Sequence, residues 1–358
     1  MIRVIVGGQF GSEGKGKLVA HLALKERSMF PDKPIMGVRC GGPNAGHTIY
    51  VPDADGNIGP VVTRHVSSAV VVPDATVSIP AGGMIDPEVL SPELGRLQHL
   101  FTGRKLLVDY HTAIVTKMNK ALESKLRERI ASTATGTGSC QSDRVMREAM
   151  LMAHYASGDA IIQDTVQIGS VSADAIATHQ RGGLVLVEGT QGYGLSNYHG
   201  TYPFCTSKCT TSAHFLSEAG LPPNEAVVAG VFRAYPIRVG GPSGPLSREI
   251  DWDTVRQRSG YDRDLVERTS VTKTVRRVGE FNWAMFTDSI QVNGISEIAL
   301  HGADHIDRRA LDARSWDELP NGVHDMVDRM ETIGRRVGRP VTVRWVFNGP
   351  TQDHIIER

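Results

Sequence analysis

The stretch that most constrains this chain is its start. Ile2 to Val6 is a short, β-branched, apolar run, and Leu18 to Leu24 suits a helix. Between them stands Gly7-Gly8-Gln9-Phe10-Gly11-Ser12-Glu13-Gly14-Lys15-Gly16-Lys17. Strand, glycine-rich loop and helix in that order open an α/β nucleotide-binding fold. Gly11 to Lys17 fits G-x-x-x-x-G-K. Glycines there let backbone N–H groups curl around phosphate oxygens, and the helix N-terminus adds positive potential. Lys15 and Lys17 can add charge. Leu18 stands where a P-loop normally has Ser or Thr, so the usual Mg²⁺ hydroxyl is missing and a metal must be held differently.

Further buried-strand candidates are Ala69–Val72, Lys105–Val108, Leu184–Val187, Ala226–Val231, Glu297–Leu300 and Val341–Val346. Helical candidates are Thr116–Ile130, Ser142–Ser157, Ser172–Gln180 and His324–Val337. Their alternation predicts an α/β fold of the P-loop type, with a central, mostly parallel sheet flanked by helices. No low-complexity linker or repeat divides the chain, so residues 1–358 read as a single domain.

Lys+Arg and Asp+Glu both number 39, which argues against a broad electrostatic grip on nucleic acid or an acidic membrane. No run of the ~18 apolar residues that a membrane helix needs is present, and the chain starts on a strand rather than a leader. Cys40, Cys140, Cys205 and Cys209 form no Cys-x-x-Cys pair and read as reduced thiols in a cytoplasmic protein.

The loop resembles the first signature of the adenylosuccinate synthetase family, in which Asp normally precedes Glu-Gly-Lys-Gly-Lys. Gly41-Gly42-Pro43-Asn44-Ala45-Gly46-His47-Thr48 resembles the second. Glu188-Gly189-Thr190-Gln191-Gly192 with His199 to Ser207 resembles the third. Thr135-Gly136-Thr137-Gly138 with Asp143 to Arg147 resembles a fourth, and Arg238-Val239-Gly240 and Asn348-Gly349-Pro350 add two more. The motifs stand in family order along the whole chain, in the compact form of the family.

The resemblance implies a C–N ligase. The family moves the γ-phosphoryl of a nucleoside triphosphate to O6 of a purine nucleotide, and the amine of L-aspartate then displaces phosphate. Phosphoryl transfer needs mainly positioning and charge neutralisation. Lys15 and Mg²⁺ would supply these, His47 would donate to the phosphoryl oxygen, and Gln191 would hold O6 as charge grows there. Ser12, Asn44, Ala45, Thr135, Arg147, Gln191, Leu195, Thr206 and Val239 correspond to the family's monophosphate site. Gly11, Glu13, Gly14, Lys15, Gly16, Lys17, Gly46, His47, Thr48, Arg276, Asp304, Asn348, Gly349 and Pro350 correspond to its triphosphate site. Ser270, Val271, Thr272, Lys273, Thr274, Arg276 and Arg277 lie where it binds aspartate, and guanidinium groups suit a dicarboxylate. The carbonyl of Gly46, with Ser12, would touch the metal. Arg147 would cross a homodimer interface to the partner's nucleotide.

Two departures direct the substrate expectation. Ser12 replaces the family's Asp, and a hydroxyl is a poor general base that bears no charge. A phage branch of the family carries this change and acts on deoxyguanylate (dGMP), giving a precursor of 2-aminoadenine deoxynucleotide. On Ser12, the chain is expected to belong to that branch and to work in a host cytoplasm; the ordinary reaction with inosinate (IMP) and GTP is the alternative. His301-Gly302-Ala303-Asp304 replaces the guanine-reading Thr-Lys-x-Asp, which points to ATP or dATP rather than GTP.

Overall fold

The computed structural model describes residues 1–53, 55–269 and 274–358. Near-continuous apolar runs such as Leu184–Glu188, buried at every position, can only be strands covered on both faces. In chain order the strands of the main sheet are β1 Ile2–Gly7, β2 Ile35–Arg39, β3 Thr76–Ile79, β4 Leu106–Asp109, β5 Val166–Gly169, β6 Leu184–Glu188, β7 Ala226–Arg233, β8 Glu297–His301, β9 Thr342–Phe347 and β10 Ile355–Glu357. They lie in the order β10-β9-β8-β7-β1-β6-β2-β3-β4-β5. Every neighbouring pair is parallel except β9 and β10 at one edge. The first strand sits near the centre, with Val4 level with Val187 of β6 and Val228 of β7. Connections from β1 and its neighbours part there, and in open α/β sheets such a crevice beyond the carboxyl ends of the strands takes ligands.

Helices cover both faces. Among them, α1 spans Lys15–Met29, α3 Trp283–Asn293 and α4 Asn321–Arg336, whereas α2, Thr137–Met146, packs against the helix over Lys117–Glu123 rather than on the sheet. Ile2, Val4 and Val6 of β1 share one core with Phe286 and Ile290 of α3 and Val323, Val327 and Met330 of α4. Ile5 points the other way, into a core with Leu18, Val19, Leu22 and Ala23 of α1. The alternation along β1 and the steps of four and three along α4 are the two periods that let strand and helix each bury one side. Each such aliphatic side chain contributes about 1.5–3 kcal/mol by leaving water.

The α/β class and the mostly parallel sheet agree with the sequence reading, and most strands fall within a residue or two of expectation. Three local expectations fail. Ala69–Val72 is no strand: Ser67 accepts a hydrogen bond from the N–H of Ala69 and caps a 3₁₀ turn over Ser68–Val71. The stretch 116–130 breaks into two short helices, Lys117–Glu123 and Leu126–Ile130. Instead of a helix over 142–157, α2 starts at Thr137 and stops at Arg147, whose left-handed backbone (φ 67°) ends it. Among the described residues no helix is long and apolar enough to cross a membrane. All four cysteines are free thiols.

Candidate functional site

The loop after β1 is shaped by positive φ at Gly11 (87°), Ser12 (61°) and Gly14 (103°). A chain turned this way directs successive amides into one concavity, the geometry of an anion nest. In this structure a carboxylate of the chain itself fills it. Glu13 Oε1 accepts from the N–H groups of Gln9 (3.2 Å) and Gly11 (2.7 Å), and Oε2 accepts from Lys15 Nζ at 2.6 Å. Glu13 and Lys15 are both buried. Lys15 also donates to the backbone carbonyl of Gln191, beyond β6, so two of the expected motifs meet at one ammonium group.

Two side chains from neighbouring strand ends clamp the loop from outside. Arg233, closing β7, donates to the Ser12 carbonyl at 3.0 Å and pairs with Glu267. His301, closing β8, donates Nδ1–H to the Glu13 carbonyl at 2.7 Å. Burial and then the Arg233 charge hold His301 well below the usual imidazole range, so it is a neutral prop. The Ser12 side chain itself is exposed. Lys17 bridges to the C-terminal segment, donating to the carbonyls of Gly349 (2.8 Å) and His354 (2.9 Å). Burial lowers it to about 7, against the pull of Asp304 and Asp353. Asn348 holds that segment through the carbonyls of Ala310 and Ala313, and Pro350 is exposed.

His47 lies directly over the start of α1; a Cβ on Gly16 would meet its Cβ at 2.8 Å. Its Nδ1 is 2.5 Å from Glu188 Oε1, and Arg39 donates to the same oxygen at 2.9 Å while touching Nδ1. The carboxylate at that distance favours Nδ1–H despite the Arg39 contact, and the neutral ring then keeps a lone pair on Nε2. Burial and then Arg39 press His47 down to about 3, against the pull of Glu188. Burial alone would raise the Glu188 carboxyl, but Arg39, His47 and Ser68 together hold it below the usual carboxylate range. Ser67 Oγ (2.8 Å), Ser68 Oγ (2.6 Å) and the Ser68 amide (2.7 Å) complete its shell. Ala45 is buried, with its carbonyl bound by Arg39 at 3.1 Å, whereas Gly46 and Thr48 are exposed.

Asn44, Gln191 and Thr206 line one narrow cleft. Asn44 Nδ2 donates weakly to Thr206 Oγ1 at 3.4 Å, and the Thr206 amide to the Leu195 carbonyl at 2.8 Å. Leu195 and Gln191 both flank Gly11, so the cleft adjoins the phosphate loop. Thr135 is half-buried and contacts Thr133, and Val239 is exposed. Arg147 is exposed at the end of α2, and no described residue pairs with its guanidinium. Asp304 is buried and accepts from the Tyr261 hydroxyl at 2.8 Å; Gly302 before it is left-handed (φ 81°).

The aspartate segment is only partly in view. Ser270, Val271, Thr272 and Lys273 lie outside the described residues. Thr269 and Thr274 close on each other across them, with two amide hydrogen bonds of 2.9 and 3.0 Å. Arg277 is committed to Glu249 (2.6 Å), and Arg276 is half-buried beside Glu267. Among the described residues no group of three or more His, Cys, Asp or Glu could hold a metal. The neutral oxygens of Ser12 and Gly46 suit a cation that keeps most of its ligands as waters and phosphate oxygens, as Mg²⁺ does.

Sequence reasoning missed Arg39, Arg233 and Tyr261, which lie outside the motifs, and missed the partnership of Glu188 with His47. It also missed Lys208 in the cleft, and it placed Thr137 in a signature without giving it a role. Lys208 follows Thr206-Ser207 and is held by Glu218 at 2.6 Å.

The family profile described as adenylosuccinate synthetase matches residues 4–169 and 162–310. The chain belongs to the adenylosuccinate synthetase family. The adenylosuccinate synthetase of Thermococcus onnurineus is 34% identical over 360 residues, covering 99% of this chain and 98% of that one. The enzyme of Methanocaldococcus jannaschii is 33% identical over 359 residues, covering 99% and 96%. Among solved structures, fully ligated adenylosuccinate synthetase from Plasmodium falciparum superposes with a TM-score of 0.82 at 20% identity, covering 100% and 99%, which concerns the fold. Succinoaminodeoxyadenylate synthetase of cyanophage S-2L, bound to dGMP and dATP as an energy donor, gives 0.74 at 25% identity, covering 99% and 95%.

These likenesses correct the expectation built on Ser12. The chain groups with archaeal adenylosuccinate synthetases at 32–34% identity across its length, not with the phage branch, so neither a dGMP reaction nor a role in 2-aminoadenine synthesis is retained. The physical reason is local: Ser12 is one exposed side chain on a loop whose backbone is fixed by Arg233 and His301. One such position cannot outweigh the sequence of the whole chain.

Proposed function

We propose that this protein is an adenylosuccinate synthetase that joins L-aspartate to C6 of IMP with hydrolysis of GTP, the whole chain acting as one catalytic unit. The observation that carries this reading is the meeting of three motifs at one point: Lys15 contacts Gln191, and His47 contacts Glu188, three residues before Gln191. Lys15 and the loop amides would receive the β,γ-phosphates once Glu13 yields them, and Gln191 would receive O6. His47 begins neutral with Nε2 free. A phosphoryl dianion beside Nε2 favours the imidazolium form, and Glu188 on Nδ1 stabilises it, so His47 can then donate. Mg²⁺, held by nucleotide oxygens with Ser12 and Gly46, would neutralise charge on the transferred group.

ATP is the second reading for the energy donor. It is favoured by Gly302, where the family's lysine would cover a guanine ring, beside an Asp304 already engaged by Tyr261. A homodimer completed by Arg147 is part of the proposal. It is supported by the exposed Val145, Met146 and Met150 around that arginine and by Met118 and Leu122 on the adjoining helix. The test is to incubate the chain with Mg²⁺, aspartate, GTP or ATP, and IMP or dGMP, and to weigh the products. Adenylosuccinate from IMP is expected; no product, or faster turnover of dGMP, overturns the reading. Mixing Arg147→Ala with Lys15→Ala chains should restore part of the lost activity if sites are shared, and none if they are not.

A further inference from the structure

A cavity of about 690 Å³ opens on the α3–α4 side of the sheet, and none of the phosphate, purine or aspartate segments lines it. Its size is that of small-ligand sites, roughly 300–1,000 Å³. Three guanidinium-bearing residues, Arg248, Arg258 and Arg329, line it together with a single carboxylate, Glu280. Arg258 and Arg248 reach Glu280 at 3.1 and 3.4 Å, but their side chains are 47% and 81% exposed. Exposed pairs of this kind hold weakly and exchange readily for a better anion. Arg329 takes no part in them; its guanidinium lies 4.1 Å from the centre of the Trp283 ring. The wall thus carries three positive charges against one negative.

Two further features point the same way. Gly322, Met326 and Arg329 face the cavity from one side of α4, whose N-terminus has no side-chain cap and no acidic residue in its first turn. Its leading amides add positive potential where Gly322 meets the cavity. Phe281 and Trp283, with ring centres 4.5 Å apart and tilted by 52°, form an aromatic wall beside the arginines. Aromatic surface next to guanidinium groups suits a ring that bears an anion.

We propose that this cavity is a second ligand site, for a small aromatic phosphate ester whose ring rests on Phe281 and Trp283 and whose phosphate is taken by Arg329 and its neighbours. The probe is phenyl phosphate, titrated calorimetrically into the full chain, with phenol and inorganic phosphate as half-ligands. One saturable site per chain is expected, present also in Lys15→Ala, and at least tenfold weaker in Arg329→Ala. Trp283→Leu should weaken it similarly, while Trp283→Phe stays within about threefold. Each half-ligand should bind at least tenfold more weakly than the ester. Binding that is unchanged in Arg329→Ala, lost in Lys15→Ala, or never saturable overturns the assignment. Arg329 is exposed, so its variant can be judged even if Trp283→Leu fails to fold.

Discussion

Glu13 and Glu188 are both fully buried carboxylates near the carboxyl ends of adjacent parallel strands, yet they are held in opposite ways. Glu188 is gripped by side chains of fixed position: Arg39, His47, Ser67 and Ser68. Glu13 is gripped by loop amides and Lys15, the groups that the family turns toward phosphate. On the proposed function the first arrangement is scaffold and the second would be a stand-in for the ligand's charge. What separates them is who donates: Arg39, His47 and the capped turn at Ser67 and Ser68, or the amides of a glycine loop together with Lys15.

The largest expected effect breaks the scaffold half. Glu188→Ala leaves Arg39 buried with the Ala45 carbonyl and the His47 ring but with no carboxylate. Removing one partner of a buried pair costs about 3–5 kcal/mol, so chemical denaturation should show a loss of that order. A loss under about 1 kcal/mol would put Glu188 in the exchangeable class. Next comes the ligand half. Lys15→Ala should lower kcat by roughly 10²–10³, the scale of losing one preorganised electrostatic donor. Glu13 then loses its charged partner but keeps its two amide donors, so the stability loss should be smaller than in Glu188→Ala. A large stability loss with normal turnover of the folded fraction would reverse the assignment.

The difference between the halves also explains what could be read from the sequence. The meeting of the loop, Gln191 and His47 was legible because all three stand in signature stretches marked by glycines. The parallel sheet was legible because its strands are unbroken apolar runs. Arg39, Arg233 and Tyr261 were not, since each meets its partner only through the folded arrangement: Arg39 and Arg233 stand at strand ends, Tyr261 follows a helix, and Arg233 is 221 residues from the carbonyl it holds. The nest filled by Glu13 was hidden too, for a carboxylate in a phosphate signature reads as a binding residue rather than as its occupant. Ser12 misled for the converse reason: a conspicuous substitution was given more weight than its exposed position supports.

The prop at His301 gives a smaller, pH-dependent test. Its folded-state value is depressed by burial and by Arg233, while in the unfolded chain it returns to the usual ~6.5. Between those values the unfolded chain binds the extra proton, so stability is present above ~6.5 and is lost as pH falls below it. From pH 7.5 to 5.5 this group should remove about 1.4 kcal/mol. In His301→Phe that share of the decline should vanish when the two proteins are unfolded in urea at both pH values. Parallel declines would mean that His301 is not kept neutral by the fold.

Ser12→Asp is the finest probe of the loop. The backbone there is left-handed at φ 61°, a conformation that Asp tolerates better than most residues, so the change should not disturb the clamp from Arg233. An exposed carboxylate at this position would add a proton acceptor near the purine and a charged ligand for Mg²⁺. If the protein works on IMP, kcat/KM for IMP should rise about fivefold, close to 1 kcal/mol of transition-state stabilisation, and half-saturation should need less Mg²⁺. Both readings are needed, because they separate the two roles. A lower Mg²⁺ requirement with unchanged kcat/KM at saturating metal would make position 12 a metal contact only. No movement in either would show that the side chain faces solvent throughout turnover, leaving proton removal from the purine to another group.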